Sequence, residues 1–442
     1  MSNYSQFYIP AVAFLAGVIA TIGLRDIYYC LSSQQKQHDT DCNQSKTAGF
    51  SLNHGPPPIS NGIEGCIGNT PLIRIKSLSE ATGCDILAKA EFLNGAGGSP
   101  KDRVALSMIQ AAERQGLLIP YSGYAIYEGT VGSTGISLAT LARAKGYLAH
   151  ICMPSDQSAE KSNLLLKLGA VVDKVPPAPI VEVGHFVNRA RCLSRSYSSA
   201  STPYSFDSIS RKSEIPNYES AASTAADKSS HGFFADQFEN PANWQAHFQT
   251  TGPEIFEQCE GKLDAFVSGA GTGGTISGVA LYLKPRLPAM TVVLADPQGS
   301  GLFNRIQFGV MFDTMEKEGT RRRQQVDTVV EGIGINRITS NLEAGRELID
   351  DAIRVTDAQA IAMARWLVEK DGIFVGSSSA VNCFAAVKTA IKLGPGHRIA
   401  TILCDSGTRH LSKFWESAGN VEGAMNTKLE DVLTATAAES DT

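Results

Sequence analysis

One local pattern recurs along the chain: a short apolar segment, a loop that contains glycine, and a helix that begins with small residues. YAIYEG (124–129) leads through GSTG into ISLATLARAKG, and LDAFVSG (263–269) leads through AGTGGT into ISGVALYLKP. Strands that alternate with helices predict parallel sheets covered on both faces, with ligands at the carboxyl ends of the strands. The pattern therefore predicts an α/β fold of the doubly wound type.

Other segments extend this pattern over most of the chain. A length of 442 residues exceeds that of a typical single core. We therefore expect two doubly wound domains, each a sheet between two helical layers, with a cleft between them. Further strand candidates are LAHICMP (148–154), AVVDKVP (170–176), MTVVLADP (290–297) and RIATILCDSG (398–407), and helix candidates start at Asp102, Ala159, Asn243, Asp357 and Ser379.

Composition narrows the classes of partner. The formal net charge is −5 and no strongly basic stripe is present, which argues against a nucleic-acid partner and leaves small anionic ligands open. The nine cysteines are scattered and never stand in C-x-x-C spacing. This spacing favours reduced thiols over a disulfide framework or a zinc site, so no metal is expected.

The N-terminal segment differs from the rest of the chain. Residues 9–24 (IPAVAFLAGVIATIGL) are almost wholly apolar and are followed by Arg25 and Lys36. This length is near the lower limit for a membrane-spanning helix, and a buried core helix is the alternative. We predict a transmembrane anchor whose flanking positive charges keep the body on the cytosolic side.

Two further composition shifts mark the edges of the folded body. A serine-rich stretch at 192–231 reads as an insertion, and the chain after residue 416 becomes an acidic tail of small residues. The predicted organisation is an anchor (1–31), a flexible linker (32–61), a catalytic body (62–415) with a smaller domain (about 100–190) and a larger one (about 62–99 plus 232–415), the insertion (192–231) and the tail (416–442).

The sharpest candidate for ligand binding is the loop at 271–275. Backbone N–H groups at a helix N-terminus, together with two threonine hydroxyls, favour an anion such as phosphate. The loop lacks both the G-K-[ST] of a Walker motif and the G-x-G-x-x-G phasing of a dinucleotide fold. A tight structural turn is the alternative. Its members are Gly271, Thr272, Gly273, Gly274 and Thr275.

Two other loops carry hydroxyls after predicted strands. In EGTVGSTGISLA (128–139), Thr130, Ser133 and Thr134 stand among glycines, which suits a carboxylate or a ring oxygen. The alternative is that Ser133 or Thr134 only caps the helix. In CDSGTRHLS (404–412), Ser406 could face a ligand or cap the turn.

Lys101 stands in the first turn of a predicted helix, directly after Pro100. A nucleophilic lysine must be partly neutral, which requires burial or a nearby positive potential, and the helix N-terminus supplies part of that potential. For a lysine taken alone, a solvated charge is the alternative.

Six blocks, in order, resemble the cysteine synthase and cystathionine β-synthase family, the pyridoxal-phosphate enzymes of fold type II. The likeness to fungal mitochondrial cysteine synthase-like proteins rests on EGTVGST and the N-terminal segment. The resemblance implies a fold like that of the tryptophan synthase β subunit, a homodimer, and a location in the mitochondrial outer membrane. The blocks are GNTPLIRI (68–75), SPKDRVAL (99–106), NPANWQAHFQTTGPEI (240–255), DAFVSGAGTGGTISG (264–278), EGIG (331–334) and CDSGTRHLS (404–412).

The resemblance also implies roles for the candidate residues. Lys101 becomes the lysine that binds pyridoxal 5'-phosphate covalently, the 271–275 loop the phosphate cup, and Ser406 the partner of the ring nitrogen. Ser133 is implied beside the ring oxygen of the cofactor. The implied reaction is synthesis of cysteine and acetate from O-acetylserine and sulfide, with Lys101 also removing the α-proton. Thr130, Gly132 and Thr134 are implied to hold the substrate carboxylate.

The chain departs from the family pattern at four positions. Val131 and Ser133 stand where the family has a serine and an asparagine, and Asn336 and Arg337 follow EGIG where small or aromatic residues are usual. Two alternatives to the synthase stay open, the first because it would use the same lysine and phosphate cup, and the second because of Val131 and Ser133. One is a serine or cysteine β-lyase or a dehydratase, and the other is a degenerate binding protein without synthase activity that uses the 192–231 insertion for interaction.

Overall fold

The fold is built on two β-sheets whose strands are mostly parallel. The computed structural model describes residues 59–157, 159–197, 232–312, 328–419 and 427–436. The strands are β1 (Leu72–Arg74), β2 (Asp85–Ala90), β3 (Ala125–Gly129), β4 (Leu148–Pro154), β5 (Val171–Val175), β6 (Gly232–Phe234), β7 (Ala265–Gly269), β8 (Thr291–Pro297), β9 (Asp351–Val355) and β10 (Arg398–Leu403). Most of them follow the predicted apolar segments, so the α/β expectation is confirmed.

The helices alternate with these strands along most of the chain. They are α1 (Lys76–Thr82), α2 (Lys101–Arg114), α3 (Ser133–Lys145), α4 (Ala159–Lys167), α5 (Phe186–Tyr197), α6 (Ala242–Ala246), α7 (Gly252–Gln258), α8 (Gly274–Leu283), α9 (Leu302–Phe308), α10 (Ser340–Glu343), α11 (Asp357–Asp371), α12 (Ser377–Leu393), α13 (Glu416–Ala418) and α14 (Leu429–Thr434). Short helical turns of other types stand at Ile63–Cys66, Glu91–Leu93, His247–Thr251, Arg346–Leu348, Gly407–Arg409 and Leu411–Trp415.

The larger sheet has six strands in the order β1-β2-β10-β7-β8-β9, and the smaller has four in the order β5-β4-β3-β6. β1 is antiparallel to β2, and the other pairings are parallel. In the smaller sheet Tyr127 of β3 stands opposite His150 of β4. We call the smaller sheet with α2 to α5 the smaller lobe, and the larger sheet with α7 to α14 the larger lobe.

Apolar side chains fill the space between sheets and helices. α11 and α12 cover one face of the larger sheet through residues such as Phe384 and Val387, which pack in a cluster with Val267 of β7. α8 covers the other face of that sheet through Ile276 and Val279. Burial of such side chains contributes roughly 1.5–3 kcal/mol each, and it fixes the strand ends on which the loops are mounted.

Helix ends in this body follow the chemistry of their sequence. Thr356 caps α11: its Oγ1 accepts the N–H of Gln359, and the Gln359 side chain accepts the N–H of Thr356. α3 ends at Gly146, whose φ of 71° is the left-handed conformation that favours glycine. Sequence signals of this kind place the helix ends to within a residue or two.

The predicted fold class needs one correction. The transmembrane helix that it included is not supported: in the described part of the chain, no helix is both long enough and apolar enough to cross a membrane. The segment that carried this prediction, residues 9–24, lies outside the described residues. The predicted linker and insertion also fall almost wholly outside them.

Candidate active site

A cavity of about 430 Å³ lies where the carboxyl ends of strands from both sheets converge. Its wall includes the loops that follow β3, β7 and β10, together with the N-terminus of α2 and the segment 328–337. The repeated strand, loop and helix pattern predicts a ligand site at such strand ends.

Lys101 lines this cavity from the first turn of α2. Burial lowers the pKa of its ammonium group, against the opposing charges of Cys404, Asp405 and Glu91. No other side chain in the described ranges forms a hydrogen bond or ion pair with its Nζ. An amine that is partly neutral and open to a cavity can act as a nucleophile or a base.

The two residues after Lys101 fix the helix that carries it. The Asp102 carboxylate accepts the N–H of Gly97 at 2.7 Å and the hydroxyl of Ser137 at 2.5 Å, which ties the preceding glycine loop to α3. Arg103 is almost fully buried and pairs with Glu91 at 2.8 Å and with Glu254 at 2.6 Å. Lys101 therefore stands on a rigid support.

The 271–275 loop also faces the cavity. Gly271, Thr272, Gly273 and Thr275 line it, and Gly274 begins α8 behind them. A side chain at Gly271 would collide with the carbonyl oxygen of Gly332, and one at Gly273, where φ is 80°, would collide with Leu342. Glycine is therefore required for this loop to bring its backbone N–H groups to the cavity.

The threonines of that loop are held from behind. Asn243 Nδ2 donates to Thr272 Oγ1 at 2.9 Å, and Thr275 Oγ1 lies 3.2 Å from His247 Nε2. Burial lowers the pKa of His247 well below its ordinary value, so the ring is neutral. Buried hydrogen bonds therefore hold the threonine side chains of the 271–275 loop in place.

The 130–134 loop supplies a second polar part of the wall. Thr130, Ser133 and Thr134 line the cavity, and so does Val131. The Thr130 hydroxyl accepts the N–H of Gly132 at 3.2 Å, and Thr134 donates to Gln237 Oε1 at 2.5 Å. Gly132 itself packs against another cavity residue, Lys161.

Ser406 is not among the residues that line the cavity. Its Oγ accepts the N–H of Thr408 at 3.3 Å and so caps the turn at Gly407–Arg409. The nearby hydroxyl in the cavity wall belongs to Ser378, in the first turn of α12. The stretch IFVGSSSA (373–380) has the same apolar, glycine and small-residue order as the other loops, and this signal could have identified Ser378.

The two residues that follow EGIG reach the cavity as well. Asn336 accepts the N–H of Gly301 at 2.7 Å through Oδ1. Arg337 pairs with Glu239 at 2.6 Å, and its guanidinium lies over the ring of Phe238, 4.7 Å from the centroid. Both side chains are therefore fixed parts of the wall.

Several charged residues of the wall were not identified from the sequence, and four of them contact one another: Lys161, Glu331, Asp405 and His410. They form a chain of ionic contacts of 2.7 to 3.2 Å. They come from three segments that are far apart in sequence, so no local pattern could reveal them.

The residues present fit pyridoxal phosphate, the cofactor that the resemblance implies. The cavity offers a buried amine at Lys101, backbone N–H groups and hydroxyls at the 271–275 loop, and the hydroxyls of Ser133 and Ser378. A phosphate suits the loop because side chains are sterically excluded at Gly271 and Gly273. This combination of an amine with a phosphate cup is what the cofactor requires.

Comparison with known proteins agrees with this fit. The family model described as "Pyridoxal-phosphate dependent enzyme" matches residues 63–405. The chain is 68% identical to "Cysteine synthase 2" of Emericella nidulans, over 98% of this chain and 99% of the relative. It is 50% identical to "Putative mitochondrial cysteine synthase" of Saccharomyces cerevisiae, over 85% of this chain and 89% of the relative.

A solved structure shares the fold. The crystal structure of O-ureido-L-serine synthase matches with a TM-score of 0.66 and 29% identity, over 83% of this chain and 98% of that one. The family match spans most of the described body and includes every loop of the cavity up to Asp405. The chain therefore belongs to the family of pyridoxal-phosphate dependent enzymes.

Proposed function

We propose that this protein is a cysteine synthase, which makes cysteine and acetate from O-acetylserine and sulfide. The observation that carries the proposal is the convergence of Lys101, the 271–275 loop and the 130–134 loop on one cavity. Relatives that cover nearly the whole chain bear the name cysteine synthase. A lyase or a dehydratase would use the same lysine and phosphate cup, so the cavity alone does not separate these reactions. The names of the relatives favour the synthase over the other two.

The proposed cofactor site uses four groups of this chain. Lys101 would bind pyridoxal phosphate covalently, the 271–275 loop would hold its phosphate, and Ser133 would lie beside the ring oxygen. We assign the ring nitrogen to Ser378, because its hydroxyl lines the cavity and that of Ser406 caps a turn. When bound, the cofactor supplies an electron sink that lets an amino acid lose its α-proton and its β-substituent.

The rest of the proposed reaction belongs to the protein. Thr130, Gly132 and Thr134 would bind the substrate carboxylate through hydroxyl and backbone N–H groups. The Lys101 amine would accept the α-proton and later return it, since burial holds its pKa below the ordinary value. A serine partner for the ring nitrogen provides a hydrogen bond instead of a full charge, which suits elimination and replacement at the β-carbon.

One observation favours a weaker enzyme or a binding protein as the second candidate. Val131 lines the cavity within the 130–134 loop and cannot donate a hydrogen bond. Loss of one hydrogen bond to a charged carboxylate, about 1.5–3 kcal/mol, corresponds to roughly a tenfold to hundredfold loss of affinity. Val131→Ser should therefore raise affinity for O-acetylserine if the loop binds the carboxylate.

The test of the function uses the purified full chain loaded with pyridoxal phosphate. O-acetylserine and sulfide should yield cysteine and acetate, and Lys101→Ala should yield neither. Serine or cysteine supplied alone should release little pyruvate or sulfide. Release of pyruvate without cysteine formation would indicate a lyase or dehydratase, and no reaction with any β-substituted amino acid would support the binding protein.

We also propose a mitochondrial location and a homodimer. The name of the yeast relative, which calls it mitochondrial, supports the location, and the family resemblance supports the dimer. We do not propose the outer membrane, because that placement depended on the transmembrane helix. Cell fractionation with a matrix marker tests the location, and a protein found only in the cytosol would refute it. Light scattering of the purified protein tests the dimer, and a monomer would refute it.

A further inference from the structure

Four buried charged side chains form a continuous chain beside the cavity. Lys161 Nζ lies 2.7 Å from Glu331 Oε2, and His410 Nδ1 lies 3.2 Å from the same oxygen. On its other side, His410 Nε2 lies 3.0 Å from Asp405 Oδ2. The side chains are at most 8% exposed. We call this set the charge chain.

The charge chain joins the two lobes. Lys161 stands on α4 of the smaller lobe, and the other three members belong to the larger lobe. The larger-lobe side is fixed, because Ser377 Oγ accepts the N–H of Glu331 at 2.9 Å and the N–H of Gly376 donates to the carbonyl of Asp405 at 3.0 Å. Lys161 is therefore the member whose position depends on the contact between lobes.

Lys161 also supports the 130–134 loop. The aliphatic part of its side chain packs against Gly132, where a Cβ atom would lie 2.8 Å from Lys161 Cδ. Gly132 has φ of 154° and stands between Thr130 and Thr134. If the lysine moved, the backbone at Gly132 would lose this packing contact. The ion pair with Glu331 therefore helps to hold the 130–134 loop in place, because it fixes the lysine side chain that packs against the loop.

The charges of the chain depend on one another. Burial alone would lower the pKa of His410, but Asp405 and Glu331 raise it to about 9, against the charge of Lys161. Burial would raise the pKa of Glu331, but His410 and Lys161 lower it to about 2. Arg409 adds a positive charge near Asp405. At neutral pH the chain therefore alternates in sign, with a protonated His410 between two carboxylates.

A buried ion pair is weak evidence for stability, because desolvation of the charges offsets their attraction. The arrangement is better explained by what it positions. We propose that the charge chain positions the 130–134 loop through Lys161, and that Lys161, Glu331 and His410 thereby set the affinity for the amino-acid substrate. This inference rests on the proposed function, in which that loop binds the substrate carboxylate.

The first test measures amino-acid binding by the full chain loaded with pyridoxal phosphate, from the change in cofactor absorbance on titration with serine, which keeps the amino and carboxylate groups of the substrate but lacks its acetate leaving group. Lys161→Met should raise the dissociation constant about tenfold or more. Lys161→Arg keeps the charge and should remain near the wild type. The cofactor spectrum before titration should be unchanged in both variants, because Lys101 is untouched.

The matched control is Lys392→Met. Lys392 pairs with Asp351 at 2.7 Å on an exposed surface away from the cavity wall, so its loss should leave the dissociation constant unchanged. Wild-type affinity in Lys161→Met with a full complement of cofactor would overturn the proposal. Equal weakening in the Lys392→Met control would also overturn it, because the effect would then be unspecific.

The second test begins with the wild-type enzyme, in which no substitution can disturb folding. In the wild-type enzyme, affinity for the amino acid should fall as pH rises through about 9, because His410 then loses one of its two ring protons and with it the positive charge between Glu331 and Asp405. His410→Gln should bind weakly at every pH and lack this fall, while deprotonation of the substrate amine affects both proteins alike. A wild-type affinity that does not fall above this pH contradicts the proposal.

These outcomes are separate from failure of the proposed function. If the wild-type chain binds the amino acid but makes no cysteine, the synthase assignment fails and the binding tests still judge the charge chain. If cysteine is made and Lys161→Met binds normally, the synthase assignment stands and the charge chain is only structural.

Discussion

At the scale of single residues, two serines near the cavity differ in what their hydroxyls can reach: Ser378 lines the cavity wall, and Ser406 caps a turn. Ser406 lies in the loop after β10, which ends at Leu403, and it belongs to a block that resembles the family, so the resemblance placed it at the ring nitrogen. The chain turns before this hydroxyl reaches the cavity, and its Oγ caps the next turn. Ser378 comes from another segment and lies in the wall. The direction of a side chain within a loop depends on backbone dihedrals that spacing alone does not reveal.

A pair of substitutions tests this assignment. Ser378→Ala should lower affinity for pyridoxal phosphate and the rate of cysteine formation by about twofold to tenfold each, the effect of one hydrogen bond. Ser406→Ala should change both quantities by less, because among the residues that the structure describes its hydroxyl bonds only with Thr408 of the same turn. Cofactor titration by fluorescence and steady-state kinetics measure the two effects. A larger loss in Ser406→Ala would return the role to Ser406.

At the scale of elements, the sequence pattern predicted most of the helices and strands whose ends form the cavity. Helices expected to start at Ala159 and Asp357 begin at those residues, and the one expected at Asp102 begins at Lys101. β2 (Asp85–Ala90) was missed because its apolar run is interrupted by Lys89. That lysine is fully buried and pairs with Glu254 at 2.6 Å. A hydrophobic pattern cannot predict a strand that contains a buried charged residue, because the partner that allows its burial is far away in sequence.

The loop at the start of α8 permits a test at this scale. Gly271→Ala should weaken binding of pyridoxal phosphate by about tenfold or more, because the new methyl group would collide with the Gly332 carbonyl and displace the cup. Gly309→Ala is a control: its Cβ would meet nothing within 4 Å, although its positive φ of 75° adds a backbone strain that Gly271 does not have. Equilibrium dialysis measures cofactor affinity. Unchanged affinity in Gly271→Ala would argue against a phosphate site at this loop.

At the scale of the whole molecule, the site depends on contacts between lobes. Lys161 stands on the smaller lobe and Glu331 and His410 on the larger, so only the packing of the two lobes brings the lysine to the other two. The sequence predicted two doubly wound sheets with a cleft, and it predicted most of the loops that enter the cleft. It could not predict the charged contacts across the cleft, because these depend on how the two lobes are oriented.

Stability at low pH tests this level of organisation. The pKa of Glu331 is lowered to about 2 from an ordinary 4.5, so its contribution is present above about pH 4.5 and is lost as pH falls toward 2. The shift corresponds to about 3 kcal/mol. Denaturant unfolding of cofactor-saturated protein should therefore depend less steeply on pH in this window for Glu331→Gln than for the wild type. Equal slopes would contradict the ionic role of Glu331.

Every role proposed for the cavity depends on Lys101 as the residue that binds the cofactor. The most direct measurement is borohydride reduction of the full chain saturated with pyridoxal phosphate, followed by proteolysis and mass spectrometry. We expect a reduced cofactor attached to the peptide that contains Lys101, and no such label in Lys101→Ala. A label on another lysine of the cavity wall, such as Lys161 or Lys413, or no label on the wild-type chain, would contradict it.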